Sequence, residues 1–339
     1  MPNTQRFILE KYRSPSSRHT CPECGKRGEF TRYIDTQEAI QFPDHVGKCN
    51  RDVNCGYHFP PKQYFREAGI TFNREGNVAA QDSISHRPIP ARQPPQPPVL
   101  PSLIPRDIFL GNFHLSDYSG NQFWKFLCQT FGRDTAAELA GEYLIGNSSH
   151  YNGATVFWQL DVECQVRSGK ILLYDQDGHR IHGKQNWIHR IHQLPDFNLR
   201  QCFFGEHLLS KYPGKTVAIV ESEKTAVIAS GYFSSLDYVW VACGGLNMLT
   251  PERCGVLRGR QVVLFPDTGL PAKAGILSPF ERWSQVADNL KKEGFRMITS
   301  DLLERSATIT EKKKGLDLAD YLLKFNPAEF RQFQKSQAA

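Results

Sequence analysis

Two groups of residues in this chain have the types and spacing to do chemistry. The first is a set of thiols, Cys21 and Cys24 in CPEC and Cys49 and Cys55 in CNRDVNC. Two cysteine pairs about two dozen residues apart suit a structural Zn2+ bound by four thiolates, although the second spacer exceeds the usual roughly two to four residues. His58 just beyond Cys55 is an alternative ligand, with His19 and His45 as outsiders. The second group is acidic: Glu221 and Glu223 in VAIVESEKTAVIAS, Asp267 in RQVVLFPDTG, and Asp317 and Asp320 in KKKGLDLADYLL. Carboxylates that converge can hold Mg2+ or Mn2+ and accept a proton from an attacking hydroxyl, which is what a reaction at a phosphodiester needs. Glu221 is the better placed of the first two, with Lys224 and Thr225 on the next turn. The plainer alternatives are helix capping by Ser222, Glu221 or Asp317 and a solvated position for Asp320.

The elements that must carry these groups can be read from periodicity. From Gly214 onward, TVAIVES, YVWVACGG and RQVVLFPDTG are short apolar runs, separated by the helical patterns EKTAVIASGYF and, after them, SPFERWSQVADNLKKEG. Strands alternating with helices imply a parallel sheet, whose ligands gather at the carboxyl ends of the strands. Both Glu221 and Asp267 stand at such ends. Upstream, NQFWKFLCQTFG and RDTAAELAGEYL have helical spacing, while GATVFWQLDV and GKILLYDQDGHRI read as strands, the second ending in an Asp-Gly turn. That part is mixed α/β.

Between Gly178 and Gln193, GHRIHGKQNWIHRIHQ gathers Arg180, Lys184, Trp187 and Arg190 among four histidines. Cations interleaved with a ring suit a groove for a single strand or for nucleotide phosphates, and a solvated hairpin anchored by Trp187 is the alternative. Around the second cysteine pair, Lys48 and Arg51 with Tyr57, Phe59 and Tyr64 could likewise meet phosphates and bases, or the rings could fill a small core.

Composition sets the frame. The chain has 339 residues, 40% hydrophobic and 22% charged, with 22 Phe, 12 Tyr and 5 Trp. That is enough apolar material for packed domains and excludes global disorder. The formal charge of +6 suits a polyanion partner without requiring one. No stretch approaches the roughly 20 apolar residues of a membrane span, and the opening MPNTQRFILEKYR lacks the apolar centre of a leader, so no membrane partner and a cytoplasmic location are expected. Cys128, Cys164, Cys202, Cys243 and Cys254 are scattered and read as small buried hydrophobes in a reduced compartment. Eight prolines between Pro88 and Pro105 mark an extended spacer. The expected division is a zinc module at 1–70, a Pro-rich linker at 71–105, a mixed α/β segment at 106–212 and a parallel-sheet domain with C-terminal helices at 213–339.

The acidic motifs also carry a resemblance. VAIVESEKTAVIAS resembles the Glu motif of TOPRIM domains, VACGGLNML the glycine-bearing strand after it, VVLFPDTG the Asp strand, and KGLDLADYL the terminal lysine-aspartate segment of primases. With CPEC ahead of a linker, the order is similar to that of bacterial and mobile-element DNA primases, particularly short TOPRIM proteins of Bacteroidetes. The segment GKILLYDQDGHRI looks like the strand pair preceding TOPRIM in primases. The resemblance implies a zinc ribbon, a primase-like segment and a Rossmann-like TOPRIM sheet. It implies Glu221 as acid or base, Asp267 as ligand of a catalytic Mg2+ or Mn2+, and Lys224, Asp317 and Asp320 as further members of the site. Single-stranded DNA and nucleoside triphosphates are the implied partners, with a replicative helicase or another mobile-element protein as the implied protein partner. The implied activity is primer synthesis by nucleotidyl transfer. This sequence departs from the pattern at Thr268 and Gly269, where the second aspartate of Asp-x-Asp is missing, and at Ser222, where glycine is usual. A non-catalytic nucleic-acid-binding factor and a TOPRIM nuclease are the competing expectations.

Overall fold

In the computed structural model, residues 6–51, 55, 57–68, 100–112, 118–233, 238–245, 247–271 and 277–338 are described. Most of the expected Pro-rich linker lies outside them. The chain divides into two compact units, Met1–Pro94 and Pro95–Ala339.

In the first unit, β1 (Phe7–Leu9), β2 (Phe30–Asp35), β3 (Gly47–Cys49) and β4 (His58–Phe59) form an antiparallel sheet in sequential order. The helix Pro61–Glu67 follows, with Pro61 in its first turn, where the missing N–H costs nothing. The ribbon core is small: Cys21, Phe30 and Cys49 with Cys24, Cys55 and Tyr57 packed against them, and a ring group of Phe7, Phe42, Tyr64 and Phe65. Strand pairing is tight enough that only glycine fits at position 47, since a Cβ there would meet the Thr31 carbonyl oxygen at 2.4 Å. Arg6 and Asp35 clip β1 to the end of β2 at 2.9 Å.

The second unit contains two further sheets. β5 (Gly146–Ser148), β6 (Ala154–Leu160), β7 (Val166–Tyr174) and β8 (Arg180–Trp187) form an antiparallel meander in that order. β6 is buried along its whole length. Alternation sends Phe157 to the main core, while Val156 and Trp158 join Ile104, Ile171 and Ile188 in a smaller cluster. The helices Gln122–Phe131 and Arg133–Glu142 pack on the main core through Phe123, Leu127, Phe131 and Leu139. At the β7–β8 hairpin, Asp175 accepts the amides of Asp177 and His179. Gly178 there has φ +76, and a Cβ on it would meet the Phe126 ring at 2.7 Å.

The last sheet comprises β9 (Thr216–Val220), β10 (Tyr238–Ala242), β11 (Gln261–Leu264) and β12 (Arg296–Thr299), all parallel, in the order β10-β9-β11-β12. The helix Glu223–Tyr232 follows β9, and Pro279–Lys292 lies between β11 and β12. β9 and β10 lack alternation because both faces are covered, as expected of parallel strands. This is the architecture that the TOPRIM resemblance implies. The hydrophobic core runs without a break from Phe123 through Val220 to Leu322. Segments flanking the antiparallel sheet reach β10: Phe204 bridges Ala242, and the Tyr143 hydroxyl, at the end of the helix Arg133–Glu142, donates to the Trp240 carbonyl at 2.9 Å.

Cys202, Cys243 and Cys254 are buried as expected, but Cys128 is only half-buried and Cys164 is exposed. Cys164 sits in the β6–β7 turn with φ 59, a loop tip that apolar spacing does not reveal. No helix among the described residues is long and apolar enough to cross a membrane.

Candidate active site and zinc module

In the ribbon, the Sγ atoms of Cys21, Cys24, Cys49 and Cys55 lie within 4.8 Å of one another, the grouping a tetrahedral Zn2+ needs. The Lys26 amide lowers the Cys24 pKa to about 7, whereas burial pushes Cys49 up to about 12. A cation at the centre would stabilise all four as thiolates. His58 is turned elsewhere, its ring stacked on Tyr33 and its Nε2 2.9 Å from the Tyr33 hydroxyl. His19 faces Glu10, and His45 packs on Phe59. Lys48 lies on β3 opposite Thr31 and His58. Arg51 points back to the thiols, with Nη1 4.0 Å from Cys24 Sγ.

Of the acidic residues, Glu221, Glu223 and Asp317 line a cleft in the second unit, and Asp267 and Asp320 lie close enough to this group to interact with it electrostatically. Glu221 directly follows β9, and Ser222 caps the next helix by accepting the Thr225 amide. Asp267 lies three residues past β11, and Thr268 is tied to the Leu316 carbonyl by its N–H at 2.9 Å and its Oγ1 at 3.0 Å. These bonds bring the segment carrying Asp317 and Asp320 to the sheet edge. Asp317 caps the helix Leu318–Leu322, its Oδ1 accepting the Asp320 amide at 2.8 Å, while its Oδ2 accepts the Thr225 hydroxyl at 2.8 Å. Lys224 completes the group, 3.9 Å from Asp320. Capping and convergence are thus compatible for Asp317.

The charge balance of this group matters. Burial, then Asp317, Glu221 and Asp320, drive the Asp267 carboxyl well above its ordinary range, with Lys224 opposing. Burial and Asp317 also raise Asp320. Among the described residues Asp267 accepts no hydrogen bond. An oxygen-only donor set with excess negative charge suits a hard divalent cation such as Mg2+ or Mn2+.

The cleft, about 250 Å3, is lined by Glu221, Ser222, Glu223, Lys224, Gly244 and Asp317 from the parallel-sheet side and by Lys170, Leu172, Tyr174 and Arg180 from the antiparallel side. Of the basic segment, Arg180 reaches this cleft. Lys184 lies four residues along β8, about 13 Å away at 3.3 Å per residue, with Nζ over the Tyr151 ring. Trp187 ends β8 near His189, and Arg190 is exposed on the turn after it.

Sequence reasoning missed Lys170. It is 8% exposed and donates to both Glu223 oxygens, at 3.0 and 3.1 Å, which neutralises Glu223 within the cleft that Glu221 also lines. A lone charge inside the strand GKILLY was the available signal, because a buried ammonium needs a partner.

Residues 5–70 match a family described as a zinc beta-ribbon finger, and residues 121–268 match a domain of unknown function (DUF6371). The second match includes Lys170, Glu221, Lys224 and Asp267 and stops before Asp317. No curated protein matches the chain by sequence. Among solved structures, the chain is similar to the primase fragment of the bacteriophage T7 primase-helicase protein, at 14% identity and a TM-score of 0.37, covering 95% of this chain and 98% of that one. It is also similar to the zinc-binding and RNA polymerase domains of the Aquifex aeolicus primase, at 13% identity and a TM-score of 0.36, covering 97% of this chain and 80% of that one.

Proposed function

We propose that this protein is a primase-like nucleotidyltransferase that binds single-stranded DNA and joins nucleoside triphosphates into short primers. The observation that carries the reading is the meeting of Glu221, Asp267, Asp317, Asp320 and Lys224 at the carboxyl edge of a parallel sheet. Glu221 and Asp267 would hold a divalent cation, with Asp317 beside them. Such an ion, when bound, neutralises phosphate charge and lowers the pKa of a nearby hydroxyl. Glu221 would accept the hydroxyl proton through a carboxylate oxygen not engaged by the ion. Arg180, across the cleft, offers a fork of donors to phosphate oxygens. Lys184 and Trp187 on β8 and Arg190 on the turn after it would extend a basic track for a single strand, and Lys48 in the zinc module would add phosphate contacts. A replicative helicase or another mobile-element protein is the partner this reading suggests.

The test is incubation of the zinc-loaded chain with single-stranded DNA, labelled nucleoside triphosphates and Mg2+ or Mn2+, beside Glu221→Gln. New oligonucleotides that vanish in the variant support the proposal. One observation favours a second reading, a binding factor without catalysis. Gly269, where the second aspartate of the motif would stand, offers no ligand, and a Cβ there would meet the Pro279 ring at 2.8 Å. Salt-sensitive DNA binding without incorporation or nicking would favour that reading, and nicking alone would favour a nuclease.

A further inference from the structure

One positive charge already stands among these carboxylates. Lys224 occupies the first turn of the helix Glu223–Tyr232, where the positive end of the helix dipole disfavours a basic side chain. Its side chain is nevertheless only 13% exposed, with Nζ 3.9 Å from Asp320 Oδ1. On the other side the same ammonium donates to the Gly178 carbonyl at 3.4 Å. Gly178 is itself pinned at the hairpin tip against Phe126. The ammonium is therefore held from two directions, by a carboxylate of the C-terminal segment and by the backbone of the antiparallel sheet.

Gly269 supplies the complementary observation. It stands where the second aspartate of Asp-x-Asp would fall, and a Cβ there would meet the Pro279 ring at 2.8 Å, so this position contributes no negative charge to the centre. The edge thus lacks that anionic ligand and holds one fixed cation in Lys224.

We propose that the centre holds one divalent cation, between Glu221 and Asp267, and that the Lys224 ammonium supplies the second positive charge, beside Asp317 and Asp320. The inference rests on reading the cleft as metal-dependent and deepens it by setting the number of ions. Glu221, Asp267, Asp317 and Asp320 are balanced by one ammonium and one divalent ion to within a single charge. A second divalent ion would have to enter against the ammonium at close range, where like charges repel strongly in a partly dry site. Unlike a bound ion, the lysine is covalently in place and does not exchange. It is also a compact point charge suited to a phosphate oxygen.

The experiment is a Mn2+ titration of the zinc-loaded full chain, following the electron paramagnetic resonance signal of free Mn2+. One ion per chain is expected, and it should disappear in Asp267→Asn. Lys224→Met should admit a second ion or tighten the first by about tenfold or more, a gain that a misfolded variant cannot produce. Lys224→Arg should keep the count at one. Two ions in the unaltered chain, or a Lys224→Met variant with unchanged number and affinity, would overturn the inference while leaving the metal-dependent reading intact. No Mn2+ bound by the unaltered chain would overturn both.

Discussion

The Thr225 hydroxyl donates to Oδ2 of Asp317 at 2.8 Å, joining two helix starts that are 92 residues apart in the chain. Thr225 is 1% exposed, and its hydroxyl also lies 2.9 Å from that of the Ser222 cap. The contact fixes the carboxylate of Asp317 relative to the end of β9, where Glu221 stands. It ties the C-terminal segment to the sheet edge by a side chain, beside the backbone tie from Thr268 to Leu316.

Thr225→Val keeps the shape and removes the donor. A hydrogen bond to a charged acceptor is worth about 1.5–3 kcal/mol, so urea denaturation should show a loss of that size. Mn2+ affinity at the cleft should fall about tenfold as Asp317 loses its orientation. Thr225→Ser should restore both. A Val variant with unaltered Mn2+ affinity would mean that Asp317 takes no part in the site.

Lys170 and Glu223 form a buried pair, their side chains 11% and 3% exposed. Removing one partner strands the other charge, so Lys170→Met and Glu223→Leu should each cost about 3–5 kcal/mol. The double change to Met and Leu should recover most of it, because two apolar groups leave no unpaired charge. Urea denaturation of the four species gives the coupling directly, and simple additivity of the two losses would contradict the pairing.

Glu206 should make stability depend on pH. It is 5% exposed and accepts the Phe203 amide at 2.9 Å, and burial raises its carboxyl from 4.5 to about 7. Between these two values the unfolded chain releases the proton while the folded chain keeps it. This group therefore costs stability as pH rises through the window, by about 3 kcal/mol in all, and contributes no further slope above it. Glu206→Gln retains an acceptor for Phe203. Urea midpoints for the variant at about pH 5 and about pH 8 should differ less than those of the unaltered chain.

Chelating zinc should unfold the ribbon alone. Its apolar core is small, Phe30 with the cysteines and a ring group of Phe7, Phe42, Tyr64 and Phe65, so the metal contributes a large part of what holds it together. All five tryptophans lie at or beyond Trp124 and report on the second unit. Chelator should expose the segment 6–68 to protease while tryptophan emission and its thermal midpoint stay constant. A shifted tryptophan midpoint would show that the two units depend on each other.

Local signals in the sequence determined much of this architecture. The knuckle CPEC, the uninterrupted apolar runs TVAIV and YVWVA, and the helical spacing of SPFERWSQVADNLKK specify a thiolate ribbon and a parallel sheet, because cap, period and turn chemistry act over a few residues. Tertiary structure alone decided the order β10-β9-β11-β12, the meeting of Asp317 with Thr225, and the engagement of Glu223 by Lys170. It also placed Lys224 between Asp320 and Gly178, and put Arg180 on the cleft while leaving Lys184 further along the strand. Such meetings depend on strand register and on how sheets and helices pack across dozens of residues. A side chain's partner is set by that packing, and periodicity records only the face on which it starts.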